Sequence, residues 1–306
     1  MTSDAAGDLD FFGLAPAAAP AATSAATPLT AARFTFDVVE HLCRIDGLLY
    51  GGAAIGASMT VAAELTGRPT LWMTTQFVSS VSQGVTVSVD VEILAVGRRT
   101  AQVRVTGIAP DGNVVFASLG ATGTHKPDGL TGNFDAAPTV GSPHEATPLG
   151  NPFSRLADAA GIELAVPPEP RGFAVAVESR QPEVRHHPDA GAGRECLWLR
   201  RRDGRRLTPA VVAYLADLVP SSVARAAGRI GGGTSLDNTF RVGTWRDTEW
   251  VLLDLRPHFA VGGYGTGTAL LWSGNGELLA TASQTASMVL FDPAALAELL
   301  RTATDR

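Results

Sequence analysis

Residues 85–93 alternate strictly. Val85, Val87, Val89, Val91 and Ile93 are apolar, and Thr86, Ser88, Asp90 and Glu92 stand between them. Successive side chains of a strand point to opposite faces, so this period of two predicts an antiparallel strand with one face buried. Ala101, Val103 and Val105 repeat the pattern. Pro110-Asp111-Gly112-Asn113 then has the chemistry of a hairpin turn feeding a strand over Val114–Ala121. Upstream, Arg33–Val39 reads as a strand, whereas Ala53–Leu65 is alanine-rich, carries Ile55, Met59, Val61 and Leu65, and holds one charge, Glu64. A helix apolar nearly all round must be buried, most simply by a sheet that wraps it, and Gly67-Arg68-Pro69 stops it.

The same order returns later in the chain. Residues 173–179 and 195–200 read as strands, and Thr208 caps a helix with Pro209 at its first position, running to about Leu218 ahead of Pro220. Strands are predicted at Ser235–Val242, Trp250–Leu255 and Thr268–Trp272, and the turn Gly274-Asn275-Gly276-Glu277 feeds Leu278–Leu290. Setting Gly112 on Gly276 places Val114-Val115-Phe116-Ala117 opposite Leu278-Leu279-Ala280-Thr281, so the second block reads as a diverged copy of the first. The expected fold is α+β, a duplicated (double) hot-dog in which each copy is an antiparallel sheet wrapped around a central helix. The expected organisation is a disordered Ala/Pro/Thr-rich arm (1–30), an N-terminal hot-dog (31–126), a proline-rich linker (127–170) and a C-terminal hot-dog (171–306) with a short terminal helix at Ala294–Leu300. Phe11-Phe12-Gly13-Leu14 interrupts the arm as an apolar knot and is read as a frayed end.

Composition narrows the function. Hydrophobic residues make up 45% of the 306 positions and charged residues 18%, ample for a sizeable core. A net charge of −6 argues against a general nucleic-acid binder. Cys43 and Cys196 make no disulfide framework or metal cluster and are expected as buried thiols. No apolar run is long enough for a membrane helix, and the N-terminus lacks a basic signal-peptide region, so a cytoplasmic protein with no membrane span is expected.

Several short stretches together resemble the double hot-dog acyl-CoA thioesterases of the acyl-CoA thioesterase II family. They are Tyr50-Gly51-Gly52 before the first helix, Val115-Phe116-Ala117-Ser118, and Leu197-Trp198-Leu199-Arg200 followed by Tyr214-Leu215-Ala216-Asp217. Ser235-Leu236-Asp237-Asn238 and Leu279-Ala280-Thr281-Ala282-Ser283-Gln284 complete the set. The resemblance implies hydrolysis of an acyl-CoA substrate by an Asp, a Ser or Thr, and a Gln, which fall on Asp217, Ser235 and Gln284. It implies no cofactor and no metal. Two positions depart from the pattern: Asn238 stands where the family usually has His, and Ala53 where a Gln often follows Gly-Gly.

The residues support that chemistry on their own terms. Thioester hydrolysis needs an activated water and a stabilised oxyanion. A carboxylate, a hydroxyl and a carboxamide converging on one water can supply the first, and no Gly-x-Ser-x-Gly elbow offers an acyl-enzyme route. Asp217 lies among Leu215, Ala216, Leu218 and Val219, an apolar setting in which an unpaired carboxylate is costly. Thr234 competes with Ser235 for the hydroxyl role. Pairing Ser235 with Trp72 and Gln284 with Gly120 leaves the first copy without this polar set, so one site per chain is expected. Backbone amides at the start of the Thr208 helix, or in a Gly231-Gly232-Gly233 loop, are candidate oxyanion donors, and Asp237 is expected to orient its strand.

Other features carry less. Gly263-x-Gly265-x-Gly267 sits between strands and is no dinucleotide fingerprint. Arg200, Arg201, Arg202, Arg205 and Arg206 either meet CoA phosphates or form a solvated hairpin end. Arg256-Pro257-His258-Phe259 lacks the sequence context of a hot-dog dehydratase, and His186-His187 is expected at the surface. The alternatives are a hot-dog enoyl-CoA hydratase or dehydratase and a non-catalytic acyl-thioester binding protein. A homo-oligomer formed through exposed sheet edges stands as an open expectation.

Overall fold

The computed structural model of the protein describes residues 5–18, 30–150, 161 and 169–292. The chain enters with helix α1 (Ala5–Phe12) and strand β1 (Ala15–Ala17). The first copy follows as β2 (Ala31–Asp37), α2 (Gly51–Thr66), β3 (Thr70–Phe77), β4 (Thr86–Val96), β5 (Thr100–Ile108) and β6 (Val114–Gly123). Four short strands connect it onward: β7 (Thr139–Val140), β8 (Thr147–Pro148), β9 (Val177–Gln181) and β10 (Val184–His186). The second copy is β11 (Glu195–Arg201), α3 (Pro209–Leu215), α4 (Val219–Ala226), β12 (Gly231–Val242), β13 (Val251–Val261), β14 (Tyr264–Trp272) and β15 (Leu278–Leu290).

Among the described residues, 13 strands share one sheet, in the order β1-β2-β4-β5-β6-β3-β12-β15-β14-β13-β11-β9-β8. The order β2-β4-β5-β6-β3 in the first copy matches β11-β13-β14-β15-β12 in the second, strand for strand. The copies meet where β3 pairs antiparallel with β12, Gln76 opposite Asp237 and Trp72 opposite Arg241. Their irregularities match as well. A bulge leaves Leu71 unpaired between Thr70 and Trp72 in the β3–β6 ladder, and another leaves Leu236 unpaired between Ser235 and Asp237 in the β12–β15 ladder. Bulges re-aim the residues beside them, and shared bulges fix the correspondence. Gln284 answers to Gly120 and Asn238 to Met73, while Ser235 answers to Thr70, two residues from the pairing with Trp72 expected from sequence.

Helix α2 is buried from Gly52 to Ala62 and packs on β3–β6, as its apolar composition requires. Burying side chains such as Ile55 and Met59 contributes about 1.5–3 kcal/mol each. The second copy departs from the single helix expected to Leu218. The chain leaves helical geometry at Ala216–Leu218 and resumes as α4 with Pro220 in its first turn, where a missing N–H costs nothing. The break is the seat of Asp217.

Three other expectations change. The arm is ordered over residues 5–17: Phe12 is fully buried against Gly56, Phe11 meets Tyr214 edge-on with centroids 5.2 Å apart, and Asp8 accepts a hydrogen bond of 2.6 Å from Thr208. Two adjacent phenylalanines and a carboxylate bonded to Thr208 outweigh the surrounding alanine and proline. The described part of the linker lies over the outer face of the second copy, where Trp198 Nε1 donates to the Gly141 carbonyl at 2.9 Å beside Trp250 and Trp272. The stretch expected as a strand from residue 173 begins as the 3-10 turn Gly172–Val175. The expected terminal helix Ala294–Leu300 lies outside the described residues. Among those described, no helix is long and apolar enough to cross a membrane.

Candidate active site

Asp217, Ser235 and Gln284 come from three separate elements and meet within hydrogen-bonding distance. Gln284 Nε2 donates to Asp217 Oδ1 and, at 2.5 Å, to Ser235 Oγ. Ser235 Oγ lies 3.5 Å from Asp217 Oδ1. The orientation of the Gln284 amide is determined from its other end, because Oε1 accepts the Val219 backbone N–H at 3.2 Å. That N–H opens α4, so the helix break that seats Asp217 also orients Gln284. Thr234 is exposed, with its backbone paired to Ser287, and the hydroxyl that bonds Asp217 and Gln284 is that of Ser235. Asp237 accepts the Thr285 N–H at 3.0 Å and orients its strand, as expected.

Two contributors escaped the sequence reading. Asn238 Nδ2 donates to Asp217 Oδ1 at 3.1 Å. The Gly52 N–H, in the first turn of α2, also bonds the Asp217 carboxylate, so the first copy's helix end supports the second copy's acid. The approach is close enough to demand glycine: a Cβ on Gly51 would sit 2.5 Å from Asp217 Oδ2, and one on Gly52 2.3 Å from the Tyr214 carbonyl. The Gly-Gly pair was legible as a motif, but its partner lay 165 residues away.

Electrostatics at Asp217 are set by burial, which pushes its pKa up to about 7; hydrogen bonds from Asn238, Gly52 and Ser235 and the charge of Arg44 pull it down. A helix N-terminus favours an anion by about 0.3–1 kcal/mol, too little to offset a rise of some three units at about 1.4 kcal/mol each. Burial, with the nearby Asp217 charge, also holds the Tyr50 phenol well above its ordinary value.

Asp217 and Ser235 line a cavity of about 680 Å³. Its walls include Leu49, Tyr50, Phe77, Phe116, Phe173 and Leu197, and Arg44, Arg202, Arg225 and Arg229 border it. Gly231–Gly233 also line it, as the start of β12 and not as a loop, whereas Thr208 is engaged with Asp8 elsewhere. Of the five-arginine turn only Arg202 reaches the cavity. Arg200 pairs with Glu178 and Glu249, Arg201 with Asp203, Arg205 with Asp10 and Arg206 with Asp247, so most of the cluster is ion-paired.

In the first copy the corresponding positions hold no such set. Thr70 spends its hydroxyl on the Met59 carbonyl at 3.0 Å, and Met73 and Gly120 are apolar. Cys43 and Cys196 are buried thiols, raised by burial to about 11 and 12. His187 corrects an expectation of surface exposure. Its Nδ1 accepts the Asp189 N–H at 3.1 Å, leaving Nε2 to donate to buried Asp254 at 2.8 Å, which pins the 187–189 loop to β13.

This duplicated antiparallel sheet, with one polar cluster on an apolar cavity, has the double hot-dog fold, and its two halves match thioesterase domains. The chain belongs to the acyl-CoA thioesterase family: residues 39–123 match its N-terminal domain and residues 143–288 its C-terminal domain. A crystal structure provisionally assigned as a thioesterase, from Novosphingobium aromaticivorans, is 30% identical over 90% of this chain and 100% of that one, with a TM-score of 0.70. A hot-dog protein of unknown function from Alicyclobacillus acidocaldarius aligns at 19% identity and a TM-score of 0.70 over 92% of this chain and 98% of its own. Acyl-CoA thioesterase II TesB2 from Mycobacterium marinum aligns at 19% and 0.63, over 85% and 94%. The last two speak to the fold alone. No curated protein sequence matches the chain.

Proposed function

We propose that the protein hydrolyses an acyl-CoA thioester to the free carboxylic acid and CoA, with Asp217, Ser235 and Gln284 activating the water. The supporting observation is the convergence of these three side chains, from a helix break and two strands, with Asp217 and Ser235 on the wall of an aromatic-lined cavity and Gln284 buried behind them. Asp217, ionised, takes a proton from water as its oxygen attacks the thioester carbonyl; a base poised near neutrality suits that task. Ser235 holds the water in line. Gln284 has both N–H bonds committed to Asp217 and Ser235, so it orients those two groups and leaves the carbonyl to another donor. The Gly51 N–H, at the start of α2 and on the cavity, is that donor. The C–S bond then breaks, and the CoA sulfur leaves with the proton that Asp217 gave up.

The apolar walls take the acyl chain, and the bordering arginines suit the CoA phosphates. In this reading the 209–226 segment, though broken, is the second copy's central helix, and the protein works in the cytoplasm. Incubating purified protein with saturated acyl-CoAs of graded chain length and a thiol reagent tests the proposal. Thiol release at one or more lengths is expected. Binding without release at every length would leave an acyl-thioester binding protein, and hydration of an enoyl-CoA would favour the hydratase.

A further inference from the structure

Asn238 is where the site departs from the family pattern, and it touches the carboxylate directly. The residue is 1% exposed, its Nδ2 donates to Asp217 Oδ1 at 3.1 Å, and its Oδ1 is buried without a hydrogen-bond partner. A buried amide with one end unsatisfied is unfavourable, and an isosteric leucine would avoid the cost. The donor end is therefore what the position uses.

The neighbouring hydroxyls explain why Oδ1 stands alone. Thr75 lies opposite Asn238 across the β3–β12 ladder. Ser58 gives its proton to the Ala54 carbonyl at 2.8 Å. Ser118, 3.0 Å from Ser58, must then donate to it, and Thr75, 2.8 Å from Ser118, must donate to Ser118. Thr75 is left with lone pairs only and has no proton for Asn238 Oδ1. Turning the amide over would set Oδ1 against Asp217, which is tolerable only for a protonated carboxyl. The observed orientation is the one an ionised Asp217 selects. Gln284 lacks this freedom, because Val219 holds its amide from behind.

We propose that Asn238 is a positioning residue for the hydrolysis, whose amide N–H keeps Asp217 ionised and turned toward the reacting water. The role in hydrolysis rests on the thioesterase reading above. The other groups facing Asp217 are the Arg44 cation and the Tyr50 phenol from the side of α2, Ser235 from β12, Gln284 from β15 and the Gly52 N–H. Arg44 and Tyr50 are the charged and titratable members, and both stay in place when Asn238 is changed.

The test compares wild type with Asn238→Leu, which keeps the size and loses the donor, and Asn238→His, which keeps an N–H. Two readouts are taken across pH: thiol release from acyl-CoA, and the Asp217 carboxyl carbon by NMR titration. In Asn238→Leu both the acid limb of kcat/KM and the Asp217 titration should move up by about one pH unit, the scale of a lost hydrogen bond to a charge. Asn238→His should bring both back. An unchanged Asp217 titration in folded Asn238→Leu overturns the proposal, as does a loss of kcat at every pH with the limb in place. If Asn238→Leu does not fold, Asn238→Ala takes its place with the same expectations. Should wild type release no thiol, the hydrolytic reading fails by itself, and the NMR titration still decides whether Asn238 holds Asp217 ionised.

Discussion

Replacing Asp217 by asparagine separates the carboxylate's electrostatic cost from its shape. In the unfolded chain this carboxyl ionises near 3.8, and in the folded protein near 7. Between those values the folded state holds a proton that the unfolded state has released, so stability falls as pH rises from about 4 to about 7 and levels off above. From pH 5 to pH 8 the folded group crosses about two units of its titration. At about 1.4 kcal/mol per unit, that is a loss of about 3 kcal/mol from this side chain. The amide introduced by Asp217→Asn cannot titrate. It meets the Gly52 N–H with either its oxygen or its nitrogen, and whatever that costs is the same at every pH. The measurement is urea unfolding of wild type and Asp217→Asn at pH 5 and pH 8, compared as a double difference. Wild type should lose about 3 kcal/mol more than the variant over that interval. In wild type kcat/KM should rise with pH through about 7, and in the variant turnover should drop by about 10²-fold or more. Parallel stability profiles, or a variant with wild-type turnover, would refute the reasoning.

Five other substitutions probe the remaining contacts. Gln284→Ala should lower turnover about 10²-fold and, by leaving the buried Val219 N–H unpaired, destabilise by about 1–3 kcal/mol, read from denaturant midpoints. Ser235→Ala should cost about tenfold in kcat while Thr234→Ala leaves thiol release unchanged; the reverse order would move the hydroxyl role to Thr234. Gly51→Ala forces a methyl group to within 2.5 Å of Asp217 Oδ2 and should depress kcat by about 10²-fold, a misplacement of the acid visible at saturating substrate. Phe12→Ala should lower unfolding stability by about 3–5 kcal/mol, whereas a frayed arm would show no change.

Much of the fold was legible because it is written in local patterns. The alternation at 85–93 appears as β4, the two Gly-turn hairpins as β5–β6 and β14–β15, and the alanine-rich apolar stretch as α2. What escaped was long-range. Composition favoured disorder over residues 1–30 because alanine and proline dominate the count, but docking is decided by two phenylalanines and the glycine face that receives them. The helix break at Ala216–Leu218 was hidden because Asp217 supplies the reason for it, and that reason comes from β12, β15 and α2. The motif order pointed to Asp217, Ser235 and Gln284, which do lie together, and what separates Ser235 from Thr234 is its bonds to Asp217 and Gln284, which no motif carries. Asn238 was visible as an anomaly, and its contact with Asp217 was not.

The seam between β3 and β12 also bears on how the chain is made. Residues 31–126 leave the ribosome before the second copy, and β3 then presents an unpaired edge, Trp72-Met73-Thr74-Thr75-Gln76, until the chain to Arg241 has emerged. During synthesis at about 5–20 residues per second that edge waits for roughly ten to thirty seconds, open to any strand that can ladder with it. Tethering supplies the intended partner at high local concentration, so later pairing is insensitive to dilution. A truncated first copy has no such partner. Its β3 edge would be met by the β3 of another molecule, giving a symmetric dimer that closes the sheet around a seam with no Asp217, Ser235 or Gln284 in it.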